Sequence, residues 1–386
     1  MSRRPSSPRS SGAAGSSAAA KKRASNGNGT SNGSAGALAQ SWPTVTSAPR
    51  FPLEEALEKI SNTKRLLIYM HDNPDPDALA AASGLKRLVE HELKAEVTLA
   101  LGGIVGRAEN RAMVEALKIP LTPMEELSPS KFDRIAIVDS QPGTGNNSLP
   151  TKRRVDIVVD HHPLRAESEG SPWSDVRSDL GATSTIVLEY LRDRRVPIDA
   201  RLATGLFYAL RSETRDLGRE ATDAERDAYL FLVPLVDHKT LSHISHPKVP
   251  REHFTALDRA LRSAKVFGSV ITADLGELSY PDLVAEIADL LLGFDRAKFV
   301  LCGGRFGTRA FLSLRTDASE NRAGTLMREI IDTRGAAGGH GTMAGGRLHE
   351  PVNDDGQMAT AFSQIVARLL AAVEATDLTP VPLVDR

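Results

Sequence analysis

Four short apolar runs in the first half of the chain, RLLIYM (65–70), AEVTLAL (95–101), FDRIAIV (132–138) and VDIVV (155–159), constrain the fold more than any other feature. They have the length and side chains of buried strands, and the segments between them repeat apolar residues at helical spacing. Such alternation predicts a mostly parallel sheet covered by helices, because parallel neighbours need a crossover long enough to hold a helix. The helix after the first run is marked most clearly. Asp75 stands at its cap, Pro76 in its first turn, and Leu79, Ala82, Leu85 and Val89 on one face. Further helices are predicted to start near Glu109 (ENRAMVEALKI), Ala182 (ATSTIVLEYLRD) and Ala200 (ARLATGLFYAL).

From residue 217 to 265 the sequence turns helical and polar, and a second unit begins around Val266. It reads as an apolar helix (DLVAEIADLLLGF), a hairpin (KFVLCGGRFGTRAFLSLRT), a helix (GTLMREIIDTRG), a glycine loop and a closing helix (MATAFSQIVARLLAAVEA). The expected fold class is therefore α/β. A parallel-sheet lobe over 50–245 would be joined by connector helices, at 217–265, to a smaller mixed α/β lobe over 266–376. No internal repeat is visible.

At 386 residues and 41% hydrophobic, the chain can bury two ordinary cores, and no apolar stretch approaches the roughly 18 residues of a membrane span. The single cysteine, Cys302, permits no internal disulfide or cysteine-based zinc site, which makes the cytoplasm the expected compartment. Residues 1–48 are Ser, Ala, Gly, Asn, Pro and basic residues, too poor in large apolar side chains to offset ordering entropy, and they read as a disordered basic arm. The arm has the composition of an organellar transit peptide without its amphipathic leucine pattern. The first 50 residues hold seven basic and no acidic side chains; removing them from 48 basic and 49 acidic leaves 41 against 49, or −8. A body this acidic is no general nucleic-acid surface, which needs clustered Lys and Arg, so an anionic substrate must be held locally.

Ligands of open α/β sheets bind beyond the carboxyl ends of the strands. After the first run comes HDNPDPD with His71, Asp72, Asp75 and Asp77; after the third, Asp139; after the fourth, Asp160, His161 and His162. Glu213, in SETRD after the helix TGLFYALRS, adds another acid. Each residue alone has an ordinary reading as a helix cap, a turn or a surface histidine. Together they are a mixed nitrogen and oxygen donor set that suits a divalent metal such as manganese, and two cations would neutralise the crowded carboxylates. Asp72 is the exception, expected to point away from its neighbours. A further histidine group, His238, His243 and His246 in DHKTLSHISH, lacks carboxylates at helical spacing and reads as connector.

These motifs resemble the DHH phosphoesterase superfamily, named for the tripeptide that stands here as Asp160-His161-His162. HDNPDPDA is similar to its first motif, Asp139 in IAIVDS to its second and ETRD to its fourth. SLRT with GGHGTMAGG (338–346) resembles the DHH-associated substrate domain. The resemblance implies one metal held by His71, Asp75 and Asp139 and a second by Asp77, Asp139, His161 and Glu213, with manganese ahead of magnesium. Glu213 departs from the usual Asp, and Asp216 is the alternative. His162 would contact the scissile phosphate or assist the leaving group, and Asp160 would accept a hydrogen bond from a histidine. In the second lobe Gly338, Gly339, His340 and Gly341 would approach an anion, and Arg315 would clamp a phosphate with its planar fork.

The activity so implied is hydrolysis of short oligoribonucleotides or dinucleotides, as in nanoRNases. Linear and cyclic dinucleotides and 3′-phosphoadenosine 5′-phosphate are the other substrates, and water is activated between two metals. A catalytically weakened nucleotide-binding regulator and a single-strand exonuclease of the RecJ type are the alternatives. The superfamily's inorganic pyrophosphatases carry a different second domain, against which GGHGTMAGG argues. A homodimer formed through the first lobe is expected from the resemblance.

Overall fold

The computed structural model describes residues 51–149, 154–317 and 319–385; the basic arm and the side chain of His340 lie outside the described part. Helix α1 (Leu53–Lys59) precedes a six-stranded, all-parallel sheet. Its strands are β1 (Arg65–Tyr69), β2 (Glu96–Leu101), β3 (Leu121–Pro123), β4 (Arg134–Val138), β5 (Ile157–Asp160) and β6 (Trp173–Val176). Their order is β3-β2-β1-β4-β5-β6. Helix α2 (Pro76–Leu93) connects β1 to β2, and α3 (Ala108–Leu117) connects β2 to β3. Helices α4 (Thr183–Asp193) and α5 (Ala200–Thr214) follow the completed sheet. The order reverses between β1 and β4, the switch point at which strand ends leave a crevice.

Leu66, Leu67, Ile68, Tyr69 and Met70 are all fully buried, so the first run is covered on both faces, as a parallel sheet requires. Fully burying an aliphatic side chain of this size contributes roughly 1.5–3 kcal/mol. The two faces differ. Leu66, Ile68 and Met70 share a core with Leu79, Leu85, Ile186 and Leu206 of α2, α4 and α5. On the opposite face Leu67 and Tyr69 pack with Ile135, Ile137 and Val158 beneath Met124, Leu127, Phe132 and Leu149. The expected helical cover is thus found on one face only. Helices α2 and α3 lie on that face, while the connections that lead into β4 and β6 hold only single 3-10 turns, at Met124–Glu126, Pro129–Lys131 and Ala166–Ser168, among the described residues. Strands β3 and β6 were not expected from the sequence; both are short, and β3 ends on a proline.

Helices α6 (Asp223–Leu232), α7 (His238–Ser245) and α8 (Arg251–Ser263) lead to a seven-stranded mixed sheet, with the Thr222 and Glu225 capping box fixing the start of α6. This sheet contains β7 (Lys265–Phe267), β8 (Val270–Glu277), β9 (Phe299–Phe306), β10 (Arg309–Thr316), β11 (Gly335–His340), β12 (Met343–Leu348) and β13 (Val381–Pro382), in the order β11-β12-β10-β9-β8-β7-β13. Helix α9 (Leu283–Leu291) packs on one face, and α10 (Ala323–Ile331) and α11 (Asp355–Ala372) on the other. The predicted hairpin is β9 and β10, turning at Gly307 with φ +60°. The expected glycine loop is instead a second hairpin: β11 pairs with β12, and Gly341 and Thr342 form the turn. Its glycines hide the alternating apolar pattern by which a strand is recognised.

Candidate metal centre at the strand ends

The chain leaves β1 through His71 and enters α2 at Asp75, whose Oδ1 accepts the amides of Asp77 and Ala78 at 2.9 and 3.0 Å. Capping therefore sets where this carboxylate sits, without withdrawing it from its neighbours. His71 Nε2 is 3.8 Å from Asp75 Oδ1 and 3.5 Å from Asp139 Oδ2. Asp139 follows β4 with φ +54°, a left-handed conformation that costs a non-glycine residue energy and is tolerated where surrounding structure fixes it. Its Oδ1 lies 3.7 Å from His161 Nε2 and 3.9 Å from His162 Nδ1. One carboxylate thus faces imidazoles from the ends of two different strands. Ligand atoms of His71, Asp75 and Asp139 form one metal-competent group, and those of Asp139, His161 and His162 another.

Asp77 and Glu213 are placed differently. Asp77 points its carboxylate at the start of α4, accepting the amides of Thr183 at 2.7 Å and Ser184 at 2.9 Å. Burial and the adjacent Asp139 push its carboxyl up to about 8, although two amide donors favour the ionised form. Glu213, in the last turn of α5, is raised by burial and then by Asp75, and lies 3.5 Å from Arg219 Nη2. Asp216 turns outward to Arg211 and is more than half exposed. The remaining electrostatics fit a crowd of acids, some buried and some half-buried, around two rings. Burial opposes a charge on His71, yet hydrogen bonds to Asp139 and Asp75 raise its pKa well above the usual value. Burial would raise Asp75, but His71 holds it well below the usual carboxylate range.

His162 Nδ1 lies 2.8 Å from Asp160 Oδ1. Burial disfavours the charged ring, but this bond and the Asp160 charge raise its pKa to about 10. Asp72 faces away from the cluster, accepting from Ser148 N at 2.9 Å and Ser148 Oγ at 2.6 Å. His238, His243 and His246 are exposed and join no metal-competent group among the described residues.

The second sheet closes over this edge. An ideal Cβ on Gly106 would stand 2.7 Å from Asp282 Oδ2, and one on Gly341 2.6 Å from Glu220 Oε1, so a carboxylate end passes close to the main chain at both places. Met343 Sδ is 3.1 Å from Arg219 Nη1. Three guanidinium groups converge on Asp289 of α9: Arg315 Nε donates to it at 2.6 Å, and Arg107 and Arg215 each stand 3.7 Å away. Arg315 is 6% exposed and also bonds Ser313 Oγ and the Leu314 carbonyl. The expected clamp is thus held in an internal pair beside other arginines. Gly338, Gly339 and the His340 backbone lie on edge strand β11.

Several residues around the site were missed by sequence reading. Thr183 donates its hydroxyl to Asp139 Oδ1 at 2.8 Å, and Gln141 donates to Asp160 Oδ2 at 2.7 Å. Arg107, Arg215, Asp282 and Asp289 come together only through the approach of the two sheets. The polar, turn-rich segment SQPGTGNNS directly after a buried strand was the available signal for Gln141.

Residues 65–210 match the model of the DHH family, N-terminal domain. An uncharacterized protein of Methanocaldococcus jannaschii is 32% identical over 296 residues, covering 76% of this chain and 60% of that protein. A probable manganese-dependent inorganic pyrophosphatase of Deinococcus radiodurans is 28% identical over 173 residues, covering 44% of this chain and 54% of the relative. The chain therefore spans somewhat over half the length of these curated relatives. Among solved structures, an exopolyphosphatase-related protein from Bacteroides fragilis shares the fold at a TM-score of 0.65 and 13% identity, over 85% of this chain and 100% of that one.

Proposed function

We propose that the protein, whose residues 65–210 match the DHH family, N-terminal domain, is a metal-dependent phosphoesterase of the DHH superfamily acting on short oligoribonucleotides or dinucleotides. The observation that carries this reading is the position of Asp139, within 3.5 Å of His71 and 3.7 Å of His161. The donor set fits two divalent cations, and the manganese-dependent relatives favour Mn²⁺ over Mg²⁺. Asp77, buried, and Glu213, half-buried, are both raised by desolvation and neighbouring acids, a crowding that added positive charge relieves.

His71, Asp75 and Asp139 would hold one ion, and Asp77, Asp139, His161 and Glu213 the other. When bound, such a pair activates water and stabilises charge on a phosphoryl group undergoing in-line displacement. The chain's own side chains supply the rest. Asp160 fixes His162 Nδ1 as the donating nitrogen, so Nε2 is the ring atom we assign to the substrate, holding the scissile phosphate or giving a proton to the departing oxygen. Arg107, Arg215 and Arg315 add positive charge where the second sheet meets the first, and the GGHG hairpin tip with Gly338, Gly339, His340 and Gly341 would carry the substrate backbone. We assign the metal centre to a lobe over 50–245 and substrate holding to a lobe over 266–376. A buried, lone Cys302 accords with a cytoplasmic protein, and no helix among the described residues is long and apolar enough to cross a membrane.

The test is a rate comparison with Mn²⁺ on pApA, a cyclic dinucleotide, 3′-phosphoadenosine 5′-phosphate, pyrophosphate and a long single strand. Fastest release of mononucleotide from pApA supports the proposal. Preference for the long strand would favour the RecJ type, preference for pyrophosphate would favour the pyrophosphatases, and no turnover with tight nucleotide binding would favour a regulator.

A further inference from the structure

We infer that Gln141 is a positioning residue, fixing the orientation of His162 through Asp160. The inference rests on the reading that His162 meets substrate. Gln141 is fully buried, immediately beyond the Asp139-Ser140 strand end. Its amide nitrogen donates to Asp160 Oδ2 at 2.7 Å and to the Pro163 carbonyl at 3.1 Å. Its amide oxygen accepts from the Arg165 amide at 2.7 Å and from Ser168 Oγ at 2.9 Å. One side chain therefore spans the turn that carries the histidines. Its main-chain carbonyl is held too, by Thr144 Oγ1 at 2.9 Å and Asn147 Nδ2 at 3.0 Å.

The amide can stand only one way round. Reversed, its oxygen would face a carboxylate and its NH₂ group would face the Arg165 N–H, leaving like groups opposed at both ends. With Oδ1 taken by His162 and Oδ2 by Gln141, Asp160 has a single orientation. Without the second bond the carboxylate can turn about its terminal torsion, which is broad, and the imidazole follows. A leucine or methionine would fill the same volume without the cost of burying an amide, so bulk alone does not account for glutamine here.

The experiment compares Gln141→Leu with the full-length parent in three measurements: Mn²⁺ stoichiometry by calorimetry, kinetics on bis(4-nitrophenyl) phosphate, and the low-field imidazole N–H resonance of His162 in metal-free protein. A positioning role predicts unchanged stoichiometry, kcat lower by about 10–100-fold at similar KM, and a shifted or lost resonance. Parental kcat with an unmoved resonance overturns it. Should the variant fail to fold, Ser168→Ala, which removes one of the two donors to the Gln141 oxygen, is read the same way with a smaller loss expected. Should the parent show no Mn²⁺-dependent hydrolysis, the proposed function fails on that result, while the resonance still decides whether Gln141 orients the ring.

Discussion

The carboxylate of Asp77 accepts the main-chain amide of Thr183 at 2.7 Å, across 106 positions of sequence. Helix α4 has no side-chain cap of its own, since Ala182 occupies that position, and Asp77 supplies the acceptor oxygens that the Thr183 and Ser184 amides need. The same Thr183 donates its hydroxyl to Asp139. One residue therefore holds two of the carboxylates that line the crevice.

Thr183→Ala should weaken Mn²⁺ binding by about 10–100-fold, the usual effect of losing an orienting bond to a ligand, while Thr183→Ser should restore it. Calorimetric titration on the three proteins checks this. Equal affinities would mean the hydroxyl does not steady Asp139.

Asp75 combines a cap with a place beside His71, and two substitutions separate those roles. Asp75→Asn keeps a good capping oxygen and should leave urea stability within about 0.5 kcal/mol while weakening metal binding. Asp75→Ala should lose about 1 kcal/mol more in stability as well. If both variants bind Mn²⁺ as the parent does, Asp75 only caps.

Glu286 gives a pH dependence away from the metal centre. Burial, and after it the acids Glu109 and Asp282, raise its carboxyl to about 7 from 4.5, against the opposing Arg107 charge and the Tyr280 hydroxyl bond, and His253 stands 3.5 Å away. A carboxyl raised in the folded state binds its proton more tightly there than in the unfolded chain. Its contribution is most favourable below about 4.5 and is lost as pH rises toward 7, on the order of 3 kcal/mol. Urea midpoints over this range should fall for the parent relative to Glu286→Gln. Parallel curves would contradict the assignment.

The site was legible because strand ends announce themselves. His71, Asp139 and His161 each follow a run that is buried on both faces, and Pro76 after Asp75 marks a helix start. What escaped was set by tertiary placement. Strand β6 is only four residues long and holds Ser174 and Asp175, so its pattern does not stand out. The β11 and β12 hairpin is built largely from glycine and alanine, which carry no periodic signal. Arg315 reads as a strand-end clamp in sequence, but the partner that buries it, Asp289, sits on a helix 26 residues earlier. Gln141 stands in a turn-rich segment and Thr183 at a helix start, positions that signal no partner in sequence, and only the tertiary packing shows that they hold Asp160 and Asp139.

Anomalous diffraction from crystals grown with Mn²⁺ tests the central claim most directly. The account predicts two manganese peaks with the Asp139 carboxylate touching both, His71 on one and His161 on the other. A single peak, or peaks that leave Asp139 untouched, would contradict it.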